Sequence, residues 1–169
     1  IGQLTALTDL RISINNFDNT IPLEIGSLKN LERLELQRNY ISGGIPASIG
    51  NLINLEHFYC YDTYVEGEIP DEIGQLVQLR ELRLSENRFG NVGQSGLTGT
   101  LPMSLGNLVN LEILEMAQNS LSGNIPTEMG DLTRLELLDL EDNFLDGTIP
   151  SQFGDLGRLG EWSRPNDIY

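Results

Sequence analysis

Apolar positions recur along this chain in a fixed phase, and the phase changes within each cycle. Between Leu31 and Pro46, Leu34 and Leu36 alternate with Arg33, Glu35 and Gln37. That is the two-residue period of a strand with one buried face. Asn39 follows where the chain turns, Ile41 returns to the apolar side, and Gly43 supplies a backbone turn closed to other residues. Pro46 then ends strand pairing. The stretch from Ala47 to Leu55 is too short for a packed helix of its own. It predicts a single 3-10 turn with Ile49, Leu52 and Leu55 inward.

The unit repeats. Asn15, Asn39, Asn87, Asn119 and Asn143 each follow a run of alternating leucines, 24 residues apart where the spacing is undisturbed, with Thr63 in the place of one asparagine. Ile21-Pro22, Ile45-Pro46, Ile69-Pro70, Leu101-Pro102, Ile125-Pro126 and Ile149-Pro150 keep the same register. So do Ile25-Gly26, Ile49-Gly50, Ile73-Gly74, Leu105-Gly106, Met129-Gly130 and Phe153-Gly154. One such coil cannot bury its own apolar edge, so stability has to come from stacking neighbours into a continuous core. The strands then form one parallel sheet on one face. Asparagines stacked once per coil carry donors and an acceptor for backbone groups turned inward. Leu34, Leu36, Ile41, Leu82, Leu84, Leu114, Leu138 and Leu140 are the predicted core, with Asn39, Asn87, Asn119 and Asn143 inward.

The composite pattern Leu-x-x-Leu-x-Leu-x-x-Asn-x-Leu-x-Gly-x-Ile-Pro-x-x-Leu-Gly-x-Leu resembles the plant-type leucine-rich repeat, six times over residues 1 to 162. The resemblance implies an α/β leucine-rich-repeat solenoid: a right-handed superhelix with a concave parallel β-sheet and short 3-10 or helical turns on the convex side. It also implies a short second strand near each Gly-x-Ile-Pro segment. Members of this class occur in plant receptor-kinase ectodomains, in polygalacturonase-inhibitor-like proteins and in algal and diatom families. They bind peptides, proteins or small ligands, and the repeat has no catalytic chemistry of its own. A single domain over residues 1–169 is expected, with an insertion near 89–96 and a degenerate terminal coil over 156–169. Ile1-Gly2-Gln3-Leu4 aligns with Ile25-Gly26-Ser27-Leu28, and the family's paired-cysteine caps are absent, so a fragment of something longer is expected. At the other end Trp162 falls on a core strand position, but Arg164 and Pro165 break the pattern; a closing coil and an interrupted one fit equally.

Three departures from the repeat are candidate functional features. The segment Gly90 to Gly96 is a Gly-rich, uncharged insertion, expected to bulge beside a strand, either at a binding rim or as a tolerated loop. The coil from His57 to Tyr64 puts His57, Tyr59 and Tyr61 at outward strand positions, followed by Asp62 and Tyr64, while Phe58 and Cys60 take inward ones. Tyrosine gives amphipathic contact area at low entropic cost, as binding surfaces do. Adjacent coils place Arg33, Glu35, Gln37 and Tyr40 on one side of it and Glu81, Arg83, Ser85 and Arg88 on the other. The expected ligand-binding set is Arg33, Tyr40, His57, Tyr59, Tyr61, Tyr64, Glu81 and Arg83, against the reading of one drifted repeat whose rings shield their neighbours. The third departure is an acidic run over Glu86, Glu115, Asp139, Glu141 and Asp142. It suits a solvated surface or a basic partner; no loop has calcium-binding spacing, and no metal or cofactor is expected.

The net charge of −15 argues against nucleic acid and anionic membrane as main partners and permits a basic protein or peptide. No apolar run approaches the length of a membrane span, so direct membrane insertion by this segment is not expected. His57 is the only histidine and Cys60 the only cysteine, with no motif to activate either, which argues against an enzyme. A lattice-matching surface is also disfavoured, because the column Thr20, Gly44, Glu68, Thr100, Asn124, Thr148 is irregular. The expected function is a protein- or peptide-binding module of a receptor-like or secreted recognition protein. That places it outside the cell or at its surface; a soluble intracellular scaffold is the alternative. The single cysteine and the lack of any Asn-x-Ser/Thr sequon weigh towards the alternative.

Overall fold

The computed structural model describes residues 1–87 and 96–163, the last three as backbone. Among these residues seven parallel strands form one sheet in chain order: Asp9–Arg11, Arg33–Glu35, His57–Tyr59, Glu81–Arg83, Ile113–Glu115, Leu137–Asp139 and Glu161–Ser163. The register is that of the sequence repeat: Leu34 pairs with Phe58, Phe58 with Leu82, Leu82 with Leu114 and Leu138 with Trp162. Each of the first six strands is followed by a return that ends in a 3-10 turn, among them Ala47–Asn51, Asp71–Gln75 and Met103–Asn107. The helical part of the expected class reduces to these turns among the described residues. Ile-Pro sets where each begins: Pro46, Pro70 and Pro102 sit just before the turn at φ of −71°, −68° and −66°, near the value the ring imposes. The expected second strands are present as short parallel pairs, Ser42–Gly43 with Tyr64–Val65, Gly67–Glu68 with Leu97–Thr98, and Ser122–Asn124 with Phe144–Asp146.

One continuous core runs through the coils. Leu34, Leu36, Ile41, Leu82, Leu84, Leu114, Leu138 and Leu140 are all buried within it, as are Ile49, Leu52 and Leu55 from the return. The asparagines point inward. Asn39 donates from Nδ2 to the carbonyls of Leu36 in its own coil and Ile12 in the coil before, at 2.9 Å each, and its Oδ1 accepts from the Phe17 amide. Asn143 repeats the pattern with Leu140, Met116 and the Leu121 amide. Thr63 is too short to reach back across a coil. Its hydroxyl instead donates forward to Asn87 Oδ1 at 2.7 Å, so the ladder continues through the altered coil.

A feature of the turn was not anticipated. The residue before each ladder position, Ile14, Arg38, Asp62, Glu86, Gln118 or Asp142, has a left-handed backbone with φ between 50° and 57°. This conformation costs an L-residue about 1–2 kcal/mol. It also ends the alternation of the strand, so the parity that holds through Tyr61 does not extend to Tyr64.

Candidate ligand-binding face

The open face of the sheet carries the outward residues of the strands, and Tyr59 lies at the centre of a connected group. Its hydroxyl donates to Glu81 Oε2 at 2.8 Å and accepts from Arg33 Nη1 at 3.5 Å, linking three consecutive coils. His57 Nδ1 stands 3.4 Å from the same hydroxyl and 3.5 Å from Glu81 Oε1. Arg83 places its guanidinium 5.6 Å from the Tyr59 ring centroid, a cation–π contact. It also donates to Glu81 Oε2 at 3.1 Å and to Glu115 Oε2 at 2.8 Å. On the other side Arg33 lies 3.5 Å from Glu35, which Arg11 approaches at 3.8 Å.

The charges respond to this packing. Burial holds the His57 imidazole below its ordinary value, with Arg33 adding to the effect against the pull of Glu81. Its contact with Glu81 is therefore that of a neutral ring at neutral pH. Burial and the bond to Glu81 push the Tyr59 phenol up. Burial alone would raise the Glu81 carboxyl, but the Tyr59 hydroxyl and the Arg83 guanidinium outweigh it and hold it low. The Cys60 thiol, buried on the inner side against the Thr63 hydroxyl, is pushed up to about 12.

Arg33, His57, Tyr59, Glu81 and Arg83 are thus brought together, half-buried and hydrogen-bonded to one another. Tyr61, two residues beyond Tyr59 and just past the end of the strand, borders a cavity of about 250 Å³ with Arg83, Ser85, Glu86, Glu115, Asp139 and Glu141. Arg83, the one cation on its wall among the described residues, is already committed to Glu81 and Glu115; Glu86, Asp139 and Glu141 have no basic partner among the described residues. Tyr40 and Tyr64 are not on this face. The left-handed turns at Arg38 and Asp62 carry them to the rim, where Tyr64 belongs to the short outer sheet. The tyrosines at 59, 61 and 64 are half-buried rather than fully exposed, and they divide between two surfaces.

Gln37 was not among the expected site residues. It lies on the sheet face in the column of Tyr61, is 9 % exposed, and its buried Oε1 has no hydrogen-bond partner. Periodicity marks it only as one more outward polar position. Arg88 and the segment from Gly90 to Ser95 lie outside the described residues, as do Arg164, Pro165 and the side chain of Trp162. Among the described residues no helix is long and apolar enough to cross a membrane, and no group of three or more His, Cys, Asp or Glu is arranged to hold a metal ion.

The family model described as Leucine Rich Repeat matches residues 30–52, 78–108, 110–132 and 134–156. Against curated protein sequences no match is found. Several solved structures are similar. The plant peptide hormone receptor RGFR1 in complex with RGF2 is 36 % identical with a TM-score of 0.87, over 94 % of this chain and 24 % of that one. The ectodomain of the membrane receptor kinase GASSHO1/SCHENGEN3 from Arabidopsis thaliana, in complex with CASPARIAN STRIP INTEGRITY FACTOR 2, is 33 % identical with a TM-score of 0.86. That match covers 94 % of this chain and 18 % of the receptor's. The Arabidopsis receptor kinase HAESA in complex with the peptide hormone IDA and the co-receptor SERK1 is 32 % identical with a TM-score of 0.80, over 88 % of this chain and 24 % of that one. The chain therefore spans about a quarter or less of each of these three structures.

Proposed function

The chain belongs to the leucine-rich-repeat family, and we propose that it is the ligand-binding part of a recognition protein, taking a protein or peptide on its concave sheet. The observation that carries this reading is the Tyr59 group. An aromatic centre among charged neighbours is the make-up of an interaction hot spot. Its side chains are already fixed by mutual hydrogen bonds, which lowers the entropy lost when a ligand docks. Arg33, His57, Tyr59, Tyr61, Glu81 and Arg83 form the contact patch. The acidic cavity beside Tyr61 supports a partner with a lysine or arginine at that end, since its carboxylates outnumber the cation available to them.

Binding rather than catalysis fits the chemistry of the face. Cys60 is inside, with a thiol pushed up to about 12, and so is a poor nucleophile at neutral pH. Tyr59 holds its proton still more firmly than usual. The likeness to receptor ectodomains supports a place outside the cell as part of a receptor-like protein, with an intracellular scaffold as the competing assignment. The test uses peptides selected from a random display library for binding to the chain. They should be enriched in lysine or arginine and should lose affinity for a Tyr59→Ala/Tyr61→Ala double variant whose melting temperature is little changed. Unchanged affinity together with a large drop in melting temperature would sink the patch and leave the rings as shields.

A further inference from the structure

The rim of the sheet holds a second surface that the concave patch does not use. Tyr40 and Tyr64 occupy the same position in consecutive coils, and their rings stack with centroids 5.8 Å apart and planes inclined by 13°. In the preceding coil that position is Asn16, so the column of rings stops at Tyr40. Tyr40 is 50 % exposed. Beside the pair opens a shallow cavity of about 220 Å³ lined also by Asn15, Arg38, Asn39 and Asp62. Asn39 is committed to the ladder, whereas Arg38 and Asp62 form only a loose pair at 3.7 Å.

Among the described residues the cavity therefore offers an aromatic ring with, around it, one guanidinium and one carboxylate of opposite charge. An aromatic side chain laid on Tyr40 would have to desolvate both charged groups with nothing to give them. An ionic ligand would meet a like charge beside its opposite, since the two groups lie 3.7 Å apart. A ligand that fits has an apolar ring face and hydroxyls around its edge. We propose that the Tyr40–Tyr64 cavity is a carbohydrate site taking a neutral pyranose unit of an oligosaccharide. The C–H face of the sugar lies on Tyr40 and adjacent hydroxyls donate to Asp62 and accept from Arg38. The inference is independent of the peptide reading, because it uses a different face.

The test titrates the chain with three neutral probes, cellohexaose, xylohexaose and mannohexaose, followed by calorimetry and by NMR of the tyrosine side chains. At least one should bind and move the Tyr40 resonances. Tyr40→Ala should weaken that saccharide roughly tenfold, the scale of a lost ring contact. Asp62→Asn should weaken it as well; asparagine tolerates the left-handed backbone there, so that variant folds whatever happens at Tyr40. Tyr40→Phe should retain binding and Tyr59→Ala should not affect it. Failure of all three saccharides overturns the proposal, as does full affinity in Tyr40→Ala or Asp62→Asn. So does N-acetyl-tyrosinamide if it shifts the Tyr40 resonances and the saccharides do not.

Discussion

Asn87 ties two coils together through one amide. Its Nδ2 donates to the Leu84 carbonyl at 2.8 Å in its own coil and to the Cys60 carbonyl at 3.0 Å in the one before, and its Oδ1 receives both the amide and the hydroxyl of Thr63. Each of these groups is buried, and a buried polar group left unpaired costs about 1–3 kcal/mol. Asn87→Ala should therefore lower the unfolding free energy by about 2–4 kcal/mol, read from urea denaturation. Asn15→Ala should be nearly neutral, because Asn15 is exposed. A loss at Asn87 no larger than that at Asn15 would contradict the ladder. These asparagines were legible in the sequence because one residue type recurs at one position. The left-handed residues beside them were not. Ile14, Arg38, Asp62, Glu86, Gln118 and Asp142 share a backbone conformation and no side-chain chemistry, and none is the glycine that ordinarily marks it. For that reason nothing in the pattern marks the turn that carries Tyr40 and Tyr64 away from the strands, and both are grouped with the sheet face when the sequence alone is read.

At the scale of the element, the close packing of successive 3-10 turns explains the glycine carried by the first five of them, from Gly26 to Gly130. A Cβ placed on Gly50 would lie 2.6 Å from the Glu72 carbonyl oxygen of the next coil, backbone that cannot swing aside. Gly44, in the same coil, is exposed; a Cβ there would meet the Glu66 carbonyl at an ordinary 3.6 Å, with no left-handed φ to strain it. Gly50→Ala should cost about 1–3 kcal/mol as overpacking. Gly44→Ala should be neutral or raise stability by about 0.4–1 kcal/mol, since it restricts the unfolded chain without crowding the folded one. Thermal melts of the two variants check the contrast, and equal effects would mean that coil spacing yields more easily than the packing suggests. The Ile-Gly register was visible in the sequence as a repeat. Which of the two glycines the stack requires was not, because the decisive atom belongs to a residue of the next coil. The candidate site was legible to a similar degree. Periodicity identified the outward residues of the His57 strand, whereas the bond from Tyr59 to Glu81 depends on rotamers that a one-dimensional pattern does not specify.

Over the whole molecule, burial falls off towards the first coil. Leu82, Leu84, Leu111 and Leu114 are fully buried, whereas Ile1, Leu4 and Phe17 are about half exposed, and Leu7, Leu10 and Ile12 are only partly covered. A solenoid draws its stability from each coil and its contacts with neighbours, so the coil with the least covered face should open most easily. Native-state hydrogen exchange should therefore show the amides paired between Asp9–Arg11 and Arg33–Glu35 exchanging through local opening. Those of Glu81–Arg83 and Ile113–Glu115 should exchange only near the global unfolding free energy. Four of these uncovered residues, Ile1, Leu10, Ile12 and Phe17, wall with Ile21 and Ile41 an apolar groove of about 170 Å³. Apolar surface of this kind favours association, so the sedimentation coefficient should rise with protein concentration, and replacing Phe17 with serine should reduce the rise. Phe17 contributes little to the core, which keeps the substitution readable as a surface change. Uniform protection across all coils in a strictly monomeric protein would show that the first coil is held as firmly as the centre, against the burial gradient.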